Sequence, residues 1–195
     1  MRSDDELYRR YLAGDTASYD ELMLRHGDHL LFYLNKYLHD PEDSEDLMIE
    51  AFARIMARRP DIREGNFKAY LFRTGRNLAL RLHERKHRLQ MFSMDGMERN
   101  IADSILASAS GDQADSSRIP DRLAAEERNR ILLQCLERID PGLREALWLV
   151  YAEEMTYAQA AEVIGVRPKR IDRMLARGKK LMRQELGKEG VDNAY

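Results

Sequence analysis

The chain has 195 residues, 34 acidic against 32 basic side chains, and a formal net charge of −2. A balance this close to neutral excludes attraction of nucleic acid by overall charge, so any such contact must come from where the charges lie. The single cysteine, Cys135, excludes an internal disulfide and a thiolate metal cluster, and no uncharged run reaches membrane-spanning length.

Leu, Ala, Met, Arg and Glu are abundant while Gly, Pro and β-branched residues are sparse, which predicts an all-α protein. The first helix is expected over 4–13, ended by Gly14. The second is opened by Asp15 or Thr16 and runs to His39, with Leu22, Leu30, Leu31, Leu34 and Leu38 at helical spacing. Pro41 and its neighbouring carboxylates open a third, with Leu47, Ala51, Phe52 and Ile55 inward, and Pro60 ends it. A fourth runs from Asn66 to Gln90, with Phe67, Leu71, Thr74, Leu78 and Leu82 inward. Residues 93–121 are dominated by Ser, Asp, Ala and Gly without a sustained period and predict a flexible acidic linker. Helical patterning resumes from Leu123 to Ile139 and again from Asp140-Pro141 to Ala152. Two small helical domains, 1–92 and 122–195, joined by the linker 93–121, are the expected organisation.

The stretch MTYAQAAEVIGVRPKRIDRMLARGKK carries the strongest local signal. Thr156 and Gln159 fit a capping box, and Ala158, Ala160 and Ala161 permit a close neighbour. Gly165 suits the left-handed end of a helix, and Pro168 the first turn of the next. This is the punctuation of a helix-turn-helix. In the second helix Ile171, Met174, Leu175, Gly178, Leu181 and Met182 make an apolar stripe. Arg167, just ahead of it, and Lys169, Arg170, Arg173, Arg177 and Lys180 make a cationic face fit for a DNA major groove.

A second basic zone, FKAYLFRTGRNLALRLHERKHR, places Lys68, Arg73, Arg76, Arg81, Arg85, Lys86 and Arg88 among Phe67, Tyr70 and Phe72. Cations for the backbone and rings for the bases are what a single strand requires, although rings at helical spacing also build cores, and Phe67 is expected there. Residues 40–50 contain acids and no base, a face able to dock a basic partner surface. His83-Glu84-Arg85-Lys86-His87 matches the HExxH zinc motif, but the surrounding cations oppose a dication and no third ligand presents itself, so neither a metal nor a catalytic residue is expected.

DPEDSEDLMIEAFARI with FKAYLFRTGRNLALRLHERKHR resembles region 2 of the extracytoplasmic-function sigma factors, and IDPGLREALWLVYAEEMTYAQAAEVIGVRPKRIDRMLARGKKLMRQEL resembles their region 4. The resemblance spans almost the whole chain in the expected order. It implies a non-enzymatic cytoplasmic subunit, without cofactor, that brings bacterial core RNA polymerase to promoter DNA and is held in check by an anti-sigma factor. Asp43, Glu45, Asp46, Leu47 and Glu50 would bind the polymerase clamp. Lys68, Tyr70, Arg73, Arg76, Asn77, Arg81, Arg85, Lys86 and Arg88 would hold the unpaired −10 strand, and the basic second helix of the helix-turn-helix would read the −35 duplex. Tyr70-Leu71 stands where the family has Trp-Leu, and Asp172 and Met174 depart from its usual recognition-helix cations. The alternative, a stand-alone helix-turn-helix regulator, leaves the acidic helix and the aromatic-basic zone without a task.

Overall fold

A computed structural model describes residues 2–93 and 130–189, with the side chains of 89–93 excepted. The chain separates into two compact units, Met1–Ile105 and Leu106–Tyr195. The expected linker, apart from residue 93, and the expected helical stretch before residue 130 lie outside the described residues. Every regular element among those described is helical.

The first unit contains α1 (Asp4–Leu12), α2 (Ala17–Leu38), α3 (Pro41–Arg58) and α4 (Phe67–Ser93). The Asp40 carboxylate accepts hydrogen bonds from the Glu42 and Asp43 amides at 3.1 and 3.2 Å, and Pro41 occupies the first turn, so α3 starts where its sequence says it should. Leu22, Leu30, Leu34, Phe52, Ile55, Phe67, Leu71 and Phe72 are fully buried between these helices. Each such side chain contributes about 1.5–3 kcal/mol of burial. α4 approaches α2 closely at Gly75, where a Cβ would stand 3.0 Å from Leu30 Cδ1. α1 is pinned by polar contacts. Asp4 accepts from Arg25 Nη1 at 2.6 Å and from His26 Nε2 at 2.8 Å, and the Tyr8 hydroxyl donates to the Pro60 carbonyl at 2.9 Å.

The second unit contains α5 (130–137 as described), α6 (Pro141–Leu147), a wider π turn (Trp148–Ala152), α7 (Tyr157–Ile164) and α8 (Pro168–Lys188). Asp140 caps α6 through the Gly142 and Leu143 amides. Arg144 Nη2 donates to the Glu137 and Ile139 carbonyls at the end of α5, supplying partners that a helix terminus lacks. Cys135 is buried, with Leu136 and Ile139 beside it in sequence buried as well. α6 and α8 meet at Gly178, where a Cβ would stand 3.0 Å from Leu147 Cδ1.

One inward expectation changes, and one position left open by the sequence is settled. Phe72 is fully buried, on the face of α4 that also carries the core residues Ala69 and Ala79. Ala158 faces solvent, and only Ala160 and Ala161 of the alanine trio pack inward.

Candidate nucleic-acid interface

Thr156 accepts from the Gln159 amide at 3.3 Å while the Gln159 side chain accepts from the Thr156 amide at 2.8 Å, a complete capping box. Gly165 ends α7 with φ +81°, a left-handed conformation that glycine adopts at little cost, and Pro168 lies in the first turn of α8. Ile171, Leu175 and Gly178 are buried, Met174, Leu181 and Met182 half-buried, so the expected stripe is the packed face of α8. Arg167, Lys169, Arg170, Arg173, Arg177 and Lys180 are all exposed. Asp172 is exposed among them, whereas Met174 is half-buried near Gly142 at the start of α6. The carboxylate therefore lies on the solvent side of the helix with the cations, and the thioether serves packing.

A furrow runs between α3 and α4. Its first part, about 250 Å³, is lined by Arg54, Ile55, Arg58, Tyr70, Arg73, Thr74, Asn77, Leu78 and Arg81. Its second, about 410 Å³, is lined by Leu47, Glu50, Arg54, Leu78, Arg81, Leu82, Glu84, Arg85 and Arg88. Arg54, Leu78 and Arg81 belong to both, so the two parts adjoin. Six of the nine residues expected to hold a single strand line this furrow: Tyr70, Arg73, Asn77, Arg81, Arg85 and Arg88. Lys68, Arg76 and Lys86 do not. The Lys68 ammonium sits 5.7 Å from the Phe72 ring centroid, and Arg76 is half-buried. Of the three rings, Phe67 and Phe72 are core, leaving half-buried Tyr70 as the one that reaches the furrow.

Sequence reading missed Arg54 and Arg58, which α3 contributes to the furrow. Their i, i+4 spacing in ARIMARRP put them on one helix face, but nothing local tells which neighbour that face meets.

The acidic set is also divided. Glu45 and Asp46 are exposed on α3. The Asp43 carboxylate instead accepts from Lys86 of α4, and Asp40 lies 3.6 Å from the same ammonium. The Asp43 hydrogen bond, with both carboxylate charges, holds Lys86 above its usual pKa despite some burial. Glu50 takes both Nε and Nη2 of Arg54, at 2.9 and 2.6 Å. Leu47 is 8% exposed and packs beneath the ridge, because it shares its face with Ala51 and Ile55. In the second unit a larger apolar groove of about 650 Å³ is lined by Leu132, Leu136, Leu147, Trp148, Tyr151, Ala152, Met182 and Leu186, with Lys179 and Arg183 at its polar edge. His83, Glu84 and His87 are exposed on α4. No group of three potential metal ligands forms among the described residues.

Residues 22–89 match the family model for sigma-70 region 2, and residues 129–182 match that for sigma-70 region 4. The chain is 26% identical over 184 residues to the ECF RNA polymerase sigma factor SigE of Mycolicibacterium smegmatis, covering 93% of this chain and 67% of that one. Among solved structures, its fold is similar to CnrH in complex with the cytosolic domain of CnrY, with a TM-score of 0.62 and 20% identity over 96% of this chain and 99% of that one. It is similar also to the sigma factor RpoE in complex with the anti-sigma factor NepR from Bartonella quintana, with a TM-score of 0.64 and 20% identity over 90% and 98%.

Proposed function

We infer, from the membership of this chain in the sigma-70 family and its extracytoplasmic-function type, that it is a sigma factor directing core RNA polymerase to a subset of promoters. The observation that carries this reading is the pairing, in one chain, of a helix-turn-helix whose second helix is cationic on its exposed face with a separate unit holding an arginine-lined furrow. A duplex reader alone has no use for the furrow.

Three contacts make up the proposed mechanism. Glu45 and Asp46 on the exposed side of α3 meet a basic surface of the polymerase, and the apolar groove of the second unit meets another of its faces. α8 enters the major groove of the −35 duplex with Arg170 and Arg173 near its amino end aimed at phosphates or base edges. The furrow holds the unpaired −10 strand, where Tyr70 offers a ring to a base and Asn77 an amide able to donate and accept. Each stacked base stabilises the open strand by about 1–3 kcal/mol, so binding shifts the duplex toward melting without any bond being made by this chain. The chain works in the cytoplasm, where the polymerase is, and no helix among the described residues is long and apolar enough to cross a membrane. An anti-sigma factor would act by covering one of these faces, as a partner is bound in the solved relatives.

The test is transcription with purified core polymerase on genomic fragments, followed by mapping of RNA starts. A sigma factor assembles with core and initiates at a defined set of sites. A regulator of the stand-alone kind binds duplex fragments and leaves the start sites of core unchanged.

A further inference from the structure

We propose that α3 forms the second wall of the single-strand path: Arg54 and Arg58 hold a phosphate across the furrow from Arg73 and Arg81, and Glu50 is the positioning residue that aims Arg54. This rests on the sigma-factor reading and deepens it.

The first part of the furrow gathers these four arginines and no carboxylate. Arg54 is already paired with Glu50, but over both parts of the furrow the guanidinium groups outnumber the carboxylates, so an anionic occupant is favoured. Its shape argues for a polymer. The cavity adjoins a second one where Arg85 and Arg88 of α4 stand with Glu50 and Glu84, so arginines line a lengthwise path rather than closing round a small anion. Arg73, Asn77 and Arg81 recur at four-residue intervals, about 6 Å apart along the helix axis, which suits a chain of repeating phosphates.

Glu50 makes one wall deliberate. A single carboxylate oxygen takes Nε and Nη2 of Arg54 at 2.9 and 2.6 Å, and this fixes the guanidinium plane at the junction of the two cavities. Nη1 of Arg54 is not engaged by that bond. A half-exposed pair one turn apart does little for folding, but a planar fork held in place loses less freedom when it binds an anion. Glu50 thereby leaves the set of acids expected to meet the polymerase.

The experiment uses the full chain assembled with core polymerase and a fluorescein-labelled, premelted promoter fragment taken from the mapped start sites. Arg54→Ala and Arg58→Ala are each expected to weaken fragment binding about tenfold. Each should also lower the dependence of log affinity on log salt by about 0.7, the value for one phosphate of a single strand. Core affinity, read by titrating labelled chain with core, is expected to stay at the wild-type value. Glu50→Gln should weaken fragment binding less than Arg54→Ala does, Glu50→Asp should restore part of it, and Glu50→Gln should add nothing in an Arg54→Ala background. Unchanged fragment affinity and salt slope in both arginine variants would overturn the proposal, as would a Glu50→Gln variant that loses core affinity and keeps its grip on the fragment. A wild-type chain that never assembles with core takes down the sigma-factor reading itself, an outcome distinct from a defect confined to the variants.

Discussion

Asp4 shows how much one residue can organise. It lies in the first turn of α1, where a carboxylate suits the helix dipole, and it bonds Arg25 and nearly buried His26 on α2. Burial pushes the Asp4 carboxyl up, yet the hydrogen bonds and charges of His26 and Arg25 outweigh it and hold the group below its usual value of 3.8. The unfolded chain therefore binds the proton more readily than the folded one. The contribution of Asp4 is complete above 3.8 and disappears as pH falls through the lower folded value. Asp4→Asn is expected to loosen α1 by about 1–2 kcal/mol at neutral pH, because it removes charge-assisted bonds and leaves His26 without its carboxylate. Hydrogen exchange of the α1 amides measures it: protection falls in the variant at neutral pH, and the gap to wild type narrows in acid. Equal protection at neutral pH would remove Asp4 as the pin.

The elements differ in how far their sequences determine them. The α7–turn–α8 unit is readable residue by residue, because capping boxes, left-handed glycines and first-turn prolines each demand a local geometry that few residues meet. The π turn at Trp148–Ala152 has no such marker, and its pattern merges with that of α6. The furrow was half legible. α4 announces its arginines by composition, but the partner wall comes from α3, and the pairing of Lys86 with Asp43 spans 43 residues that no periodicity connects. Phe72 stayed undecided because its cationic neighbours and its helical spacing point opposite ways, and its place on the face of α4 shared with Ala69 and Ala79 turns it into the core. Close approach of α6 to α8 is likewise set by a tertiary neighbour. At Gly178 a Cβ would meet Leu147 Cδ1 at 3.0 Å and Cγ at 3.2 Å, so Gly178→Val must push the leucine aside. The expected cost is about 1–3 kcal/mol of overpacking. Trp148, the single tryptophan, adjoins Leu147 and reports unfolding of this unit by its fluorescence. The midpoint should fall for Gly178→Val and recover in part when Leu147→Ala is added, since residues in contact do not act independently. A midpoint that drops further in the double variant would show that the crowding lies elsewhere.

At the scale of the whole chain, a net charge of −2 conceals segregation. α8 exposes its cations beside a buried apolar stripe, and α3 exposes Glu45 and Asp46 on a helix belonging to another unit with its own core. Separate cores allow one surface to be altered while the other stays folded. Arg170→Ala with Arg173→Ala should reduce the salt dependence of −35 duplex binding by about 1.8 if each arginine neutralises one phosphate, at about 0.9 per phosphate of duplex DNA, without changing assembly with core. Glu45→Lys with Asp46→Lys should do the reverse, weakening assembly while the salt slope of duplex binding stays at its wild-type value. Asp43 is left intact in this pair so that its bond to Lys86 continues to tie α3 to α4, and lost assembly then reflects a changed surface rather than a disturbed fold. Combining all four substitutions should add the two free-energy losses within about 0.3–0.5 kcal/mol, the expectation for sites that share no partners. An unaltered slope in the arginine variant would exclude α8 as the duplex contact. Coupling well beyond that margin would mean that polymerase and duplex DNA compete for, or jointly order, the same part of the chain.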